Sequence, residues 1–205
     1  AQTVSFSVNR FGSVYIFDEA TEQLLSQYYV NEPARLHVTE INVDTLEFRE
    51  ITYSRDGDIV TMEQGEDYAV TESGTEATWK SYTYDIYEDN FTEEGIYAVT
   101  IYSEDRATNR SSNTVKEKEI QFVMDTTLPT IVVTGVEDQE QYNSDRRSVT
   151  IDAKDNIYLS EVVAYVDNVP VKTFSEEELT AANGVVTLEI GSTNDWQTLT
   201  VKAVD

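Results

Sequence analysis

The chain has 205 residues, with Lys and Arg totalling 14 against 39 Asp and Glu, for a formal charge of -25. That balance excludes a nucleic-acid binder, which needs surplus cations to displace counterions from phosphate, and an anionic membrane surface repels it for the same reason. Apolar residues at 40% and aromatics at 11% suffice for a folded core, while the absence of cysteine rules out disulfides and thiolate metal sites.

The length exceeds the usual domain of about 100 to 150 residues, so two domains are expected. Short runs rich in Val, Ile, Thr and Tyr recur between turn signals, and a helical period is nearly missing. In chain order the first predicted strands cover residues 3–8, 34–43, 46–54, 58–62, 67–72, 77–87, 96–104 and 117–124, with one helix over 19–29. Asp56-Gly57 marks a tight hairpin turn, because this pair tolerates positive φ. A break follows at Asp125-Thr126-Thr127-Leu128-Pro129, where proline has no donor to offer a ladder. The domains are therefore residues 1–125 and 126–205. Beyond the break, strands are predicted at 130–136, 147–154, 161–167, 169–174, 184–191 and 197–204. Ser175, followed by Glu176, Glu177 and Glu178, caps a short helix over 175–182.

Strand faces alternate as in antiparallel sheets wet on one side. Tyr97, Val99 and Ile101 share one parity, as do Val149, Ile151 and Ala153, Val186, Leu188 and Ile190, and Leu199, Val201 and Ala203. Residues 34–43 break the rule, since Leu36 and Val38 differ in parity from Ile41 and Val43. A β-bulge near Thr39-Glu40 is the expected remedy.

The segment IYAVTIYSED, ending at Asp105, aligns with WQTLTVKAVD, ending at Asp205, pairing Val99 with Leu199 and Ile101 with Val201. The two halves are read as repeats of one fold, the first enlarged by insertions. Tyr97, entering its strand just after Gly95, suits a tyrosine corner, whose phenol bonds back to backbone. The second copy carries Gln197 there. The first copy continues past Asp105 into a final strand, whereas the second stops at Asp205, so the second domain is expected to lack its last strand. The edge so left continues in a longer polypeptide, the favoured reading, or awaits a strand from a partner.

On EEGIYAVTIYSEDRATN, KEIQFVMDTTLPTIVVTG and DWQTLTVKAVD, the chain resembles the bacterial immunoglobulin-like domains strung along Gram-positive surface and adhesin-type proteins. The stretch through Asp125 and Pro129 looks like that family's interdomain linker, and DRATN like its Asp-x-Ala-Gly-Asn turn, with Thr108 in place of glycine. The resemblance implies an all-β chain of two tandem Greek-key sandwiches, extracellular, with neighbouring domains of the same kind as partners and a host or glycan ligand at most. Gly95, Tyr97, Asp105, Asp125, Pro129 and Asp205 are its structural markers. In such a tandem, Asp125, Asp155, Asn156 and Asp205 would converge, which makes calcium the ion to consider, though Asx turns and caps are the commoner use of such residues. No metal is assigned, and no cofactor. Lys80, in phase with Tyr82, Tyr84 and Ile86, is the one lysine placed for a self-formed cross-link to Asn or Asp; a strand-end lysine reaching solvent is the competing use.

Acidic runs such as Glu93-Glu94 and Glu176-Glu177-Glu178 are read as solvated faces rather than a glycosidase pair, since no apolar pocket is implied to raise one pKa. His37, the sole histidine, reads as a sheet residue. Trp79 and Trp196 are the candidates for an exposed sugar-stacking platform. The reading is a non-catalytic spacer or adhesion region; the alternative is a carbohydrate-binding module of a secreted enzyme.

Overall fold

The computed structural model describes residues 2–4, 6, 8–75 and 79–205, and it is almost entirely β. Two compact units, Ala1–Thr126 and Thr127–Asp205, divide the chain. In the first unit the elements are β1 (Val14–Phe17), α1 (Glu19–Gln27), β2 (Tyr29–Val30), β3 (Leu36–Asn42), β4 (Leu46–Arg55), β5 (Asp58–Thr61), β6 (Tyr68–Ser73), β7 (Lys80–Ile86), β8 (Gly95–Asp105), β9 (Arg110–Ser112) and β10 (Ile120–Met124). One sheet has the order β1-β3-β7-β6 and the other β2-β10-β8-β4-β5, with β9 also on β8. Among the described residues these strand pairs are antiparallel apart from β2 beside β10. A single core lies between them, with Leu36, Ile51, Tyr84, Ile86, Phe91, Ile101 and Phe122 each fully buried.

The second unit contains β11 (Thr130–Thr134), β12 (Arg146–Lys154), β13 (Glu161–Val166), β14 (Val169–Ser175), α2 (Glu176–Ala181), β15 (Val185–Gly191) and β16 (Leu199–Val204). Its sheets run β11-β12-β15 and β14-β13-β16, around a core of Val149, Ile151, Ala153, Val162, Ala164 and Phe174. These orders repeat β1-β3-β7 and β5-β4-β8 of the first unit in the same chain sequence. Both inner hairpins close on two residues at positive φ, Asp56 and Gly57 (51° and 96°) and Asp167 and Asn168 (51° and 65°). That conformation matches the right-handed twist of the flanking strands.

Each helix is fixed locally. Asp18 Oδ1 accepts the Thr21 amide at 2.9 Å to start α1. Ser175 and Glu178 exchange side-chain and backbone bonds in a capping box that starts α2. Gly95 opens β8 at φ 145°, where an added Cβ would lie 2.6 Å from Asp56 Oδ2 and 2.8 Å from Arg55 Cγ, so only glycine fits.

The structure departs from expectation in three places. No bulge occurs near Thr39-Glu40, because β3 keeps unbroken register with β1 and β7; Glu40 and Asn42 point inward and Ile41 outward. The irregularities lie instead between Leu46 and Phe48 and between Ala164 and Tyr165. Of residues 3–8, the described Thr3, Val4, Phe6 and Val8 form no strand. β1, β2 and β9, two to four residues long, were too short for an alternation to mark.

Thr108 occupies the left-handed region at φ 63° in the turn after β8. A β-branched residue is strained there, so Thr108→Gly is expected to stabilise the first unit by about 1 kcal/mol. A rise in its urea midpoint at unchanged slope is the measurement.

Candidate functional site

The most concentrated polar chemistry lies inside the first unit, where residues from both sheets form one hydrogen-bonded seam. Glu40 on β3 is 0% exposed. Its Oε2 accepts from Tyr84 Oη on β7 at 2.6 Å, and its Oε1 accepts from Tyr15 Oη on β1 at 3.2 Å and from Ser103 Oγ on β8. Two residues along β3, Asn42 Nδ2 donates to Ser13 Oγ at 3.1 Å and to Asp105 Oδ2 at 3.3 Å. Asn9 Nδ2 donates to the same Asp105 oxygen at 2.7 Å, and the Asn109 amide donates to Asp105 Oδ1 at 2.9 Å. Asp105 therefore closes the end of β8 by tying down both the following turn and the approach to β1.

Chemically the seam holds a carboxylate by hydroxyl donors. Three such bonds offset part of the several kcal/mol that burying an ion costs. Burial, and after it the charge of Glu40, pushes the Tyr15 and Tyr84 phenols well above their ordinary 10.0. The carboxylate is fully buried and its three donors come from strands of both sheets, so it holds the two sheets in one register.

A second polar device sits on the flank of β8. Asn113, fully buried, accepts the Ile101 amide on Oδ1 at 2.8 Å, while its Nδ2 donates to the Val99 carbonyl at 3.1 Å and the Lys118 carbonyl at 3.0 Å. One side chain thus stands in for a strand between β9 and β10.

At the other end of this core Tyr97, Phe91 and Phe122 pack together, with Tyr97 stacked on Phe122 at 5.4 Å. Tyr97 Oη donates to the Glu93 carbonyl at 2.7 Å, the backward bond anticipated for a tyrosine there. Glu93 itself pairs with Arg55 at 2.8 Å, and Glu94 Oε1 accepts from the Thr126 amide at 3.0 Å. Tyr53, Arg55, Asp89 and Tyr97 border a hollow of about 290 Å³, at the small end for ligand pockets.

The other sequence candidates fall as follows. Asp125 ends β10's run, buried, and its amide donates to the Val30 carbonyl at 2.9 Å. Asp155, in the second unit, accepts the amides of Ile157 and Tyr158 at 2.8 and 3.0 Å, the Asx pattern that loops use. Its carboxylate and that of Asp205 lie within 4.8 Å of one another. Asn156 follows Asp155 in that loop, and Pro129 precedes β11. His37 Nδ1 lies 3.4 Å from Asp85 Oδ1. Lys80 opens β7 half-buried, opposite Asn42, whose amide is already bonded to Ser13 and Asp105. Trp79 and Trp196 are 63% and 64% exposed.

Sequence reasoning missed Glu40, Ser103 and Asn113. The only signal for Glu40 was the parity change that suggested a bulge. Compared with models of known protein families and with curated proteins, the chain matches none.

Two outcomes follow. Glu40→Ala removes the acceptor that three hydroxyls share and opens a cavity, so unfolding free energy should fall by about 3 kcal/mol or more, with Glu40→Gln costing less. Because the folded phenols titrate above the unfolded value, their contribution is intact below about pH 10 and lost as pH rises beyond it. Denaturant titrations between about pH 10 and 12 should show stability falling as pH rises, with Tyr68, Tyr82 and Tyr97 adding to the loss because burial raises them too, and Tyr84→Phe should make the decline shallower by about 1.4 kcal/mol per pH unit.

Proposed function

We infer that the chain is a non-catalytic spacer or adhesion region made of tandem immunoglobulin-like sandwiches, from a secreted or wall-attached bacterial protein. The observation that carries this reading is the repeated strand order: each unit sets a β1-β3-β7 type sheet against a β8-β4-β5 type sheet in the same chain sequence. Repetition of one self-contained module is how chains gain length without new chemistry. The charge of -25 suits it, since neighbouring molecules on a crowded surface repel rather than adhere. The polar groups with the most elaborate surroundings, Glu40, Asp105 and Asn113, are buried and engaged in holding strands together.

The second reading, a carbohydrate-binding module, draws on Trp79 and Trp196, two large exposed aromatic faces of the kind that stack on sugars. Glycan and matrix-protein arrays probed with the purified chain separate the two. A spacer gives a flat glycan array, whereas a sugar signal that disappears with Trp79→Ala or Trp196→Ala overturns the spacer reading in favour of the module.

A further inference from the structure

The inner hairpins of the two units are alike up to their turns and differ just beyond them. Arg55 faces Asp58 across Asp56-Gly57 as Val166 faces Val169 across Asp167-Asn168, so Ile59 and Pro170 hold equivalent places, followed by Val60 and Val171. β5 and β14 are each the outermost strand of their sheet. β14 is guarded twice. Pro170 has no amide to offer, and the register slips between the pairs Tyr165–Pro170 and Ala164–Lys172, which leaves Val171 as a bulge. β5 carries neither device, and its pairing with β4 runs without a break.

The edge so formed is chemically open. In a hairpin closed by two residues, the pairs Arg55–Asp58 and Tyr53–Val60 exchange the ladder bonds, and Met62 continues them by donating its amide to the Ile51 carbonyl at 2.9 Å. The amides and carbonyls of Ile59 and Thr61 therefore point away from β4, and among the described residues they meet no backbone partner. The Ile59 side chain beside them is 73% exposed.

On the inner side of the same strand lies the hollow of about 290 Å³. Asp58 and Val60 contribute to it from β5, Asp89 and Thr92 from the connection between β7 and β8, and Tyr53 from β4. Hairpin and β8 are tied together beside it, since the Asp56 amide donates to the Ile96 carbonyl at 3.0 Å and the Ile96 amide to Asp56 Oδ1 at 2.9 Å. Arg55, the cation in the lining, is matched by Glu93 at 2.8 Å. Asp58 and Asp89 make no ion pair among the described residues, so the hollow keeps a negative excess.

We propose that the β5 edge receives an extended segment of a partner protein as an added antiparallel strand, with a lysine opposite Val60 that reaches into the hollow toward Asp58 and Asp89. Backbone bonds to Ile59 and Thr61 supply affinity without regard to sequence, and the hollow selects the side chain. A lysine suits it because the ammonium has three donors for two carboxylates and a neighbouring hydroxyl, while its alkyl stem lies along Val60. The charge of -25 draws a basic segment in and keeps a second copy of this chain away. The proposal names a partner for an adhesion region, and its failure would leave standing the spacer reading, which rests on the repeated strand order.

The probe is a capped pentapeptide, Thr-Val-Lys-Val-Thr, titrated to about 10 mM into the isotopically labelled whole chain at low salt, where surface charges are least screened. Amide resonances of Ile59 and Thr61 should shift and their hydrogen exchange should slow. Glutamine in place of the lysine should raise the dissociation constant about tenfold, and a chain carrying Asp58→Asn with Asp89→Asn should bind both peptides alike. Ile59→Pro, which copies Pro170, should end binding of either peptide. N-methylation of the two peptide valines should do the same while leaving the protein unaltered, so the outcome does not depend on the proline variant folding. Unmoved Ile59 and Thr61 resonances at the top of the titration, binding by the N-methylated peptide, or equal binding of the lysine and glutamine peptides to the parent chain overturns the proposal.

Discussion

A strand in the middle of a sheet must satisfy its amides and carbonyls on both flanks, and in the first unit β8 is where that requirement is heaviest. One flank is paired with β4 along nearly its whole length. The other is shared among β10 at the start, Asn113 in the middle and β9 at the end. With both flanks closed, Tyr97, Val99, Ile101, Ser103 and Asp105 are each no more than 1% exposed. In the second unit Leu199 and Val201 are as apolar as Val99 and Ile101 yet only partly buried. Burial at these positions follows from who sits beside the strand, and residue type alone does not secure it.

The same strand carries the polar seam, and the seam explains why the sheets keep one alignment. A slip of one residue in β3 would drive Ile41 into the core and Glu40 into water. It would also strip Glu40 of donors from β1, β7 and β8 together, a loss far larger than the transfer energy of one aliphatic side chain. A buried carboxylate adds little net stability against a well-packed apolar residue. Its value here lies in making every neighbouring register worse.

Most of the fold was legible because alternation is a local signal. The strands around Tyr97, Val149, Val186 and Leu199 were placed to within a few residues, and Ser175 with Glu178 announced a helix start. The seam was not legible, because its bonds join residues 25, 44 and 63 positions apart and nothing near Glu40 names Tyr15, Tyr84 or Ser103. Counting apolar parity alone turned an inward acid into a bulge. Asn113 was hidden for a related reason: a side chain that replaces a strand can be recognised only once the gap between β9 and β10 is known. Val4, Phe6 and Val8 show the converse: their alternation reads as a strand, yet they lie exposed and outside any strand.

An open sheet edge accepts strands without much regard to sequence, which makes it an aggregation hazard unless something screens the partners. Here the screen is charge. Many of the arginines are already engaged within the first unit, Arg35 with Asp85 and Glu88, Arg49 with Glu72, Arg55 with Glu93 and Arg110 with Glu104, so the carboxylate excess is not offset by free cations there. A second β5 brought edge to edge would bring the rest of an equally acidic domain with it. Specificity of this kind comes from what is repelled as much as from what is bound.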